Sequence, residues 1–154
     1  MGLIDFVVGA GKKLFGVSEA EAATSSDPEV LSKRATALEN EIKALGLGVD
    51  GLKVKVAGDT AHVHGKVSTQ AEREKVVLAL GNVEGIAKVD DGGLQVASAS
   101  AESRFYTVQK GDTLSKIAKE HYGDANKYQA IFEANKPMLA HPDKIYPGQK
   151  LRIP

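Results

Sequence analysis

Two histidines placed two positions apart are the side chains of this sequence that most resemble a transition-metal pair. His62 and His64 fall in a run whose alternation predicts a β-strand, so both project from one face together with Lys66. Imidazole pairs bind zinc, copper or nickel, but a solvent-facing polar strand has the same spacing, and we favour that interpretation. Asp90 and Asp91 could attract a divalent cation, although two adjacent carboxylates in a glycine-rich stretch are more typical of a turn.

The sequence offers little that could catalyse a reaction. Cysteine is absent, which excludes a thiolate nucleophile, a thiolate zinc site and any disulfide, and which fits a reducing compartment. There is no Ser–His–Asp constellation that we can defend and no HExxH motif. The stretch Gly9–Lys13 superficially resembles a phosphate-binding loop, but it lacks the preceding strand and the required spacing. We therefore expect a protein that is not an enzyme.

Composition restricts the class of partner. The chain has 154 residues, with 20 Lys and Arg against 20 Asp and Glu, so its formal charge is zero with neutral histidine. This balance argues against nucleic-acid binding, which depends on clustered positive charge. Apolar residues make up 42% of the chain, which is enough for a core, and the length allows one ordinary domain or two small ones.

The N-terminal segment is apolar but does not resemble a secretory signal. Positive charge follows the apolar run at Lys12 and Lys13 instead of preceding it, and Asp5 interrupts the run. No stretch reaches the roughly 18 consecutive apolar residues of a transmembrane helix. We expect a cytoplasmic protein without stable membrane insertion; an amphipathic anchor lying on a membrane surface is the alternative.

Hydrophobic periodicity separates an arm from a first folded domain. Leu3, Val7, Ala10 and Leu14 fall at helical spacing, and a polar linker then leads to Asp27. The pattern that follows predicts a helix from Pro28 to Leu45, a hairpin with its turn at Gly58–Asp59, a second helix and a last strand. We expect the hairpin strands over 52–56 and 60–67, the second helix over 70–80 behind a Ser68 or Thr69 cap, and the last strand over 86–96, interrupted at 90–93.

A flexible stretch, ASASAES, separates the first domain from a second block, whose pattern predicts the order strand, helix, helix, strand. We expect these elements over 105–109, 113–121, 126–135 and 149–153. The fold class is thus α+β, with two small domains of order αββαβ and βααβ behind an N-terminal amphipathic arm. The boundaries we expect are an arm and linker over 1–23, a first domain over 24–97, a linker over 98–104 and a second domain over 105–154.

The second block resembles a LysM domain across Tyr106–Pro154. It carries YTVQKGDTLSKIAKEHYGDANKYQAIFEANK followed by IYPGQKLRIP. The resemblance implies binding of N-acetylglucosamine polymers in a groove between the loop after the first strand and the loop before the last. The groove positions would be Gly111, Asp112, Thr113 and Leu114 on one side, with Ile145, Tyr146 and Pro147 opposite. A cytoplasmic chain would rarely meet peptidoglycan, so we favour this module as a docking partner for the first domain.

The first domain resembles a BON domain in its element order and in the glycines at its turns. Three features together resemble the family of bacterial cytoplasmic potassium-binding proteins over the whole chain. They are an N-terminal MGL-x-x-FV, the motif G-N-x-x-G-I at Gly81–Ile86, and the C-terminal EANKPML-x-x-PDKIYPGQ. That resemblance implies a K⁺ sensor or buffer. The alternatives are a peptidoglycan-binding envelope protein and a phospholipid-associated BON protein.

The resemblance also implies the ligands of the ion. K⁺ is large and weakly hydrated, and rings of main-chain carbonyl oxygens can replace its water shell. Such carbonyls would come from the glycine-broken arm and from the end of the second helix, where carbonyls lose their intrahelical partners and the helix dipole favours a cation. Carried over by position, the K⁺ ligands are Val7, Val8, Ala10, Gly81, Val83 and Ile86.

Val8 departs from the lysine found at this position in the family, which a main-chain ligand tolerates. The implied mechanism is a cross-link between arm and loop, so K⁺ should order the arm, compact the protein and raise its stability. We expect a monomer.

Overall fold

A computed structural model describes residues 3–6, 28–83, 86–98, 104–136 and 138–153. It confirms the α+β class with two small modules, each built around its own apolar core. In the first module, a sheet of order β1-β4-β3-β2 packs against two helices; in the second, two strands pack against a pair of short helices. Within these residues no helix combines the length and the apolar character needed to cross a membrane.

The first helix, α1 (Pro28–Ala44), follows the apolar stripe predicted for it. Leu38 and Ile42 are fully buried on the face that contacts the sheet. The helix ends where Gly46 adopts a left-handed φ of 73°, and the Leu47 amide donates back to the Ile42 carbonyl at 3.3 Å.

The predicted hairpin forms with strands β2 (Asp50–Ala57) and β3 (Thr60–Thr69). Gly58 has a φ of 63°, which the tight turn into Asp59 requires. Val54 and Val63 face each other across the pair and are both buried, whereas the lysines and histidines alternate onto the opposite face.

The second helix, α2 (Gln70–Gly81), begins at the predicted cap. The Thr69 hydroxyl accepts from the Glu72 amide at 3.2 Å, and the Glu72 carboxylate accepts from the Ser68 amide at 3.0 Å. Of the two candidate caps, Thr69 is therefore the one used. Val76, Val77 and Leu80 are buried, as their spacing predicted.

The last strand of the first module, β4 (Lys88–Ser98), runs parallel to β3 without the predicted interruption at 90–93. The pairing instead shifts between His62↔Asp90 and His64↔Gly93, so β4 contributes one extra residue. The glycines that suggested a break accommodate this bulge, which keeps the strand in the sheet.

The helical prediction for the arm is wrong over its described part. Residues Leu3–Asp5 form strand β1, which pairs antiparallel with β4 at the edge of the sheet. Ile4 packs against the core and Phe6 is buried, which is the period of two of a strand, whereas the helical prediction depended on Leu3 and the residues that follow Phe6. The unpaired edge of β4 decides between the two, because it supplies hydrogen bonds that a glycine-rich helix would have to make alone. The predicted helical positions Val7, Ala10 and Leu14 lie outside the described residues.

The second module pairs β5 (Arg104–Thr107) with β6 (Lys150–Ile153) in antiparallel orientation. Between them lie α3 (Leu114–Tyr122), a 3₁₀ turn (Ala125–Lys127) and α4 (Tyr128–Ala134). The helix predicted over 126–135 therefore starts as a 3₁₀ turn, in which the Asn126 amide donates to the Asp124 carboxylate at 2.9 Å. The two modules touch: Met138 packs against both cores, and Phe105 of the second module packs against the first.

Candidate functional site

The loop after α2 holds three of the expected ligand positions. Gly81, Val83 and Ile86 are all buried, and they occupy the point where the helix ends. The Ile86 amide donates to the Val83 carbonyl at 3.1 Å. The three positions lie close to the C-terminus of α2, which is the negative end of the helix dipole.

Phe6 brings the N-terminal strand onto this loop. Its amide donates to the Ala87 carbonyl at 2.7 Å, and the Ala87 amide donates to the Asp59 carbonyl at 2.8 Å. The Phe6 ring lies so close to Gly81 that a Cβ there would be 2.1 Å from the ring. Gly81 is therefore a glycine because an aromatic ring covers it, and not because of a left-handed helix cap; the cap residue is Asn82.

The remaining expected ligands, Val7, Val8 and Ala10, lie outside the described residues. Their chain neighbour Phe6 is anchored on the loop that carries Gly81 and Ala87.

A lysine from the second module reaches the same place. The Lys150 ammonium donates to the Asp5 carbonyl and lies 5.0 Å from the centre of the Phe6 ring. Burial lowers the pKa of this ammonium, and the nearby Asp5 carboxylate acts in the opposite direction. A main-chain carbonyl of the N-terminal strand is thus already in contact with a positive charge.

Asn82 joins the two modules through the backbone of that same lysine. Its side-chain amide donates to the Lys150 carbonyl at 2.8 Å, and its oxygen accepts from the Lys150 amide at 2.8 Å. Asn135 makes the equivalent pair of bonds to Arg152, with distances of 3.0 and 2.8 Å. Two asparagine side chains therefore replace a neighbouring strand along the outer edge of β6. Sequence reasoning missed this, because a single Asn after a helix also fits an ordinary cap.

A buried ion pair makes a second connection between the modules. Arg152 Nε lies 3.1 Å from Glu74 Oε1, with side chains 11% and 0% exposed. Glu74 is fully buried on α2, on the same helix face as the buried apolar residues Val77 and Leu78. A charge on the apolar face of a helix is the one sequence signal that could have indicated this contact.

The histidine pair lies on the solvent-facing side of the sheet, as we favoured. His62 Nδ1 is 3.1 Å from Asp90 Oδ2, with both side chains about one-third exposed, and the His64 ring covers Gly93. The Gly92 amide donates to Asp90 at 3.0 Å, and this bond, followed by the contact with His62, lowers the pKa of Asp90. Across the described ranges no three His, Asp or Glu side chains gather into a group that could hold a metal ion.

Asp91 does not belong to a simple turn. Strand alternation turns it inwards, where it is fully buried, and its Oδ2 accepts from Arg73 Nε at 3.0 Å. The second oxygen, Oδ1, has no hydrogen-bond partner among the described residues. The interpretation of Asp90 and Asp91 as a turn pair is therefore wrong for Asp91, which is held in the interior by an ion pair.

The expected sugar groove is only partly assembled. Thr113 and Leu114 border a shallow pocket of about 290 Å³, but the residues opposite them are Tyr128, Pro142 and Asp143. Tyr146 instead lines a cleft of about 390 Å³ between the modules, where burial raises its pKa to about 12. Thr113 and Tyr146 therefore line different pockets, which the resemblance alone did not indicate.

Asp112 organises the rim of this groove. Its carboxylate accepts the Tyr106 hydroxyl at 2.5 Å and the Gln109 amide at 2.9 Å, and it lies 3.5 Å from the Lys116 ammonium. The bond from Tyr106 is the main cause that lowers the pKa of Asp112, and the same bond raises the pKa of Tyr106 to about 12.

Comparison with known proteins supports both module assignments. The BON domain family matches residues 31–98 and the LysM domain family matches residues 106–154. The chain is 44% identical over 155 residues to potassium binding protein Kbp of Escherichia coli O6:H1, a match that covers 100% of this chain and 99% of that relative.

Two further relatives are less completely matched. An uncharacterized protein of Deinococcus radiodurans is 34% identical over 145 residues, covering 87% of this chain and 56% of the relative. The uncharacterized protein YqbP of Bacillus subtilis is 43% identical over 60 residues, covering 33% of this chain and 27% of the relative. Because the first match extends from end to end, with a BON domain followed by a LysM domain, the chain belongs to the family of potassium binding protein Kbp.

Proposed function

We propose that this protein is a cytoplasmic potassium-binding protein, a K⁺ sensor or buffer and not an enzyme. The observation that carries the proposal is the match along its whole length to a relative named for potassium binding. The anchoring of Phe6 on the loop after α2 supports it, because the arm and the loop are the two segments that would share the ion. The proposed ligands are the carbonyl oxygens of Val7, Val8, Ala10, Gly81, Val83 and Ile86.

The chemistry of the loop favours a monovalent cation. Divalent calcium and magnesium prefer carboxylate-rich sites. The described positions Gly81, Val83 and Ile86 contribute only neutral main-chain oxygens, in a buried setting at a helix C-terminus. Neutral carbonyls offset the weak hydration of K⁺ more readily than the stronger hydration of Na⁺, so the proposed cage discriminates between them.

Binding would act as a cross-link between two distant parts of the chain. Because K⁺ would bind only the closed arrangement, it stabilises that arrangement and raises the free energy of unfolding. We propose that the protein works as a monomer that becomes more compact with K⁺. It would need neither nucleic acid nor insertion into a membrane.

Titration calorimetry tests the proposal directly. Aliquots of KCl should produce a saturable heat, whereas NaCl and choline chloride at the same ionic strength should produce only heats of dilution. Indistinguishable heats for the three salts would remove the potassium assignment.

Carbonyl chemical shifts test the cage. In a ¹³C-labelled sample, the carbonyl carbons of Gly81, Val83 and Ile86 should shift with K⁺, while that of Gly48, in an exposed loop, should stay constant. Ala10→Pro should weaken K⁺ binding by distorting the arm, and Val8→Lys should do little because only its backbone is a ligand. If Ala10→Pro binds like the parent, the cage is misplaced.

Glycan binding by the LysM domain is a second candidate function. Among the described residues, those that line the pocket bordered by Thr113, Leu114 and Tyr128 all belong to the LysM domain, so contact between the modules leaves this pocket accessible. We propose N-acetylglucosamine polymers as the ligand class. Sedimentation with purified peptidoglycan tests this, with Ser115→Trp as a variant that should block the pocket. Equal and negligible pelleting of both proteins would count against it.

A basic face of the sheet favours an association with phospholipid as a third candidate. Lys53 and Lys55 lie opposite His64 and His62 on neighbouring strands, and these side chains alternate away from the core. A flat face with several lysines suits an anionic lipid surface, where each contributes about 1 kcal/mol. Cosedimentation with phosphatidylglycerol vesicles but not with phosphatidylcholine vesicles is expected. Lys53→Gln with Lys55→Gln should reduce it, and no difference between the two lipids would refute the association.

A further inference from the structure

We propose that Lys150 is a positioning residue for the ion site, which it assembles from a different module; this inference rests on the potassium-binding function proposed above. Lys150 contacts both segments that would contribute ligands. Its backbone is bound by Asn82, which lies between the proposed ligands Gly81 and Val83. Its side chain contacts Asp5 and Phe6, which directly precede the proposed ligand Val7.

The hydrogen bonds to the Lys150 backbone set the position from which its side chain extends. Asn82 both donates to and accepts from Lys150, each time at 2.8 Å, and its side chain is buried. A side-chain amide that makes two hydrogen bonds to one residue is held in a single orientation. The loop after α2 therefore sets the position of the Lys150 backbone.

The contacts of the Lys150 side chain set the position of the N-terminal arm. The ammonium has only donors, and it satisfies the Asp5 carbonyl while it lies 5.0 Å from the Phe6 ring centre. The Phe6 ring in turn covers Gly81. Lys150 thus connects the loop after α2 to the N-terminal arm, and the arm contacts the same loop through Phe6.

The arm needs this support because its own pairing is short. Strand β1 spans only three residues, Leu3–Asp5, at the edge of the sheet. Short edge strands open readily, since few hydrogen bonds hold them. A hydrogen bond from a charged donor, of the kind that Lys150 makes to Asp5, is stronger than a neutral one, so it adds to the few bonds that hold β1.

The positive charge of Lys150 also has an opposing effect. It would repel a bound K⁺, so replacement by a neutral residue would strengthen binding if repulsion dominated. We infer that positioning dominates, because the ammonium is directed at the Asp5 carbonyl, which is not one of the proposed ligands. Positioning and charge repulsion change the K⁺ affinity in opposite directions, so the affinity of Lys150→Met distinguishes between them.

The experiment compares Lys150→Met, Lys150→Arg and the control Lys110→Met by K⁺ titration calorimetry. Lys150→Met keeps an apolar stem and should weaken K⁺ binding about tenfold, which is the loss of one charged hydrogen bond. Lys150→Arg keeps a cationic donor and should restore binding to within about threefold of the parent. Lys110→Met removes an equal charge from an exposed turn of the same module and should leave affinity unchanged. Unchanged or tighter binding by Lys150→Met would overturn the inference.

A second measurement does not depend on potassium. The Phe6 amide, bonded to the Ala87 carbonyl, should exchange with deuterium about tenfold faster in Lys150→Met than in the parent, in potassium-free buffer. Equal exchange rates would overturn the positioning role even if the parent binds no K⁺. Absent K⁺ binding by the parent together with faster Phe6 exchange in the variant would refute the proposed function and retain the role of Lys150 in holding the arm.

Discussion

The guanidinium of Arg152 lies 3.1 Å from the carboxylate of Glu74, and the two residues belong to different modules. Arg152 is on the last strand and Glu74 is in the middle of α2, 78 positions earlier in the chain. The same guanidinium donates to the Ala134 carbonyl at 3.3 Å. The LysM domain is thus fixed to the helix whose C-terminal end forms the candidate ion site.

Replacing Arg152 with Met should strongly destabilise the protein. The substitution removes the cation that faces a fully buried carboxylate, a change that costs about 3–5 kcal/mol. Urea unfolding at pH 7 measures this loss. The double variant Glu74→Met with Arg152→Met should recover most of the stability, because it removes both charges. A single variant as stable as the parent would show that the ion pair does not hold the modules together.

Gly81→Ala should weaken both the fold and K⁺ binding. The added methyl group would collide with the Phe6 ring at 2.1 Å, so the arm must move, at a cost of about 1–3 kcal/mol. Thermal unfolding and potassium calorimetry report the two effects. Gly48→Ala is the matched control, because no atom lies within 4 Å of its Cβ position. If Gly81→Ala binds K⁺ like the parent, the contact between Phe6 and Gly81 does not support the ion site.

Asp112→Asn should destabilise the LysM domain by about 1–3 kcal/mol at neutral pH, because the carboxylate accepts from both Tyr106 and Gln109. The pKa of Asp112 is lowered in the folded state, so its contribution is present above its ordinary pKa of 3.8 and is lost as the pH falls through the lower folded value. Unfolding midpoints between pH 7 and pH 2 should therefore fall less steeply in the variant. Asp143→Asn, at a 91% exposed side chain, is the control. Parallel pH profiles for Asp112→Asn and the parent would contradict the assignment.

The partner of Asp112 should be visible at alkaline pH. The bond to Asp112 raises the pKa of Tyr106 to about 12, so the stability it provides is present at pH 10 and below and is lost as the pH rises towards 12. Ultraviolet titration of tyrosinate should show a late transition near pH 12, to which the buried Tyr146 also contributes. Tyr106→Phe should reduce the amplitude of this transition. If the amplitude of the transition near pH 12 is the same in Tyr106→Phe as in the parent, Tyr106 ionises at a different pH.

Local signals in the sequence were sufficient for most of the secondary structure. The cap at Thr69 and the glycines at 46 and 58 mark ends of elements whose backbone requirements involve only neighbouring residues. The arm was different, since Leu3 and Val7 fall at helical spacing whereas Ile4 and Phe6 have the period of two that is typical of a strand. The free edge of β4, supplied by residues some 85 positions away, decided for a strand.

The candidate site divides in the same way. Gly81, Val83 and Ile86 stay predicted ligands that depend on family resemblance, because a main-chain ligand imposes little on its side chain. The contacts that surround them were not predicted at all, namely Asn82 with Lys150 and Glu74 with Arg152. In the sequence alone, each of these residues has an ordinary explanation, as a helix cap, an exposed strand residue or a surface charge.

The sequence by itself determined the two modules, their order and the start of α2 at its cap, because caps, turns and alternation act over a few neighbouring residues. Only the tertiary structure decided that the N-terminal segment pairs as a strand, that Asp91 is buried against Arg73, and that Lys150 links the loop to the arm. These contacts join residues far apart in the chain, and their energies come from burial and pairing that exist only after the modules have folded against each other.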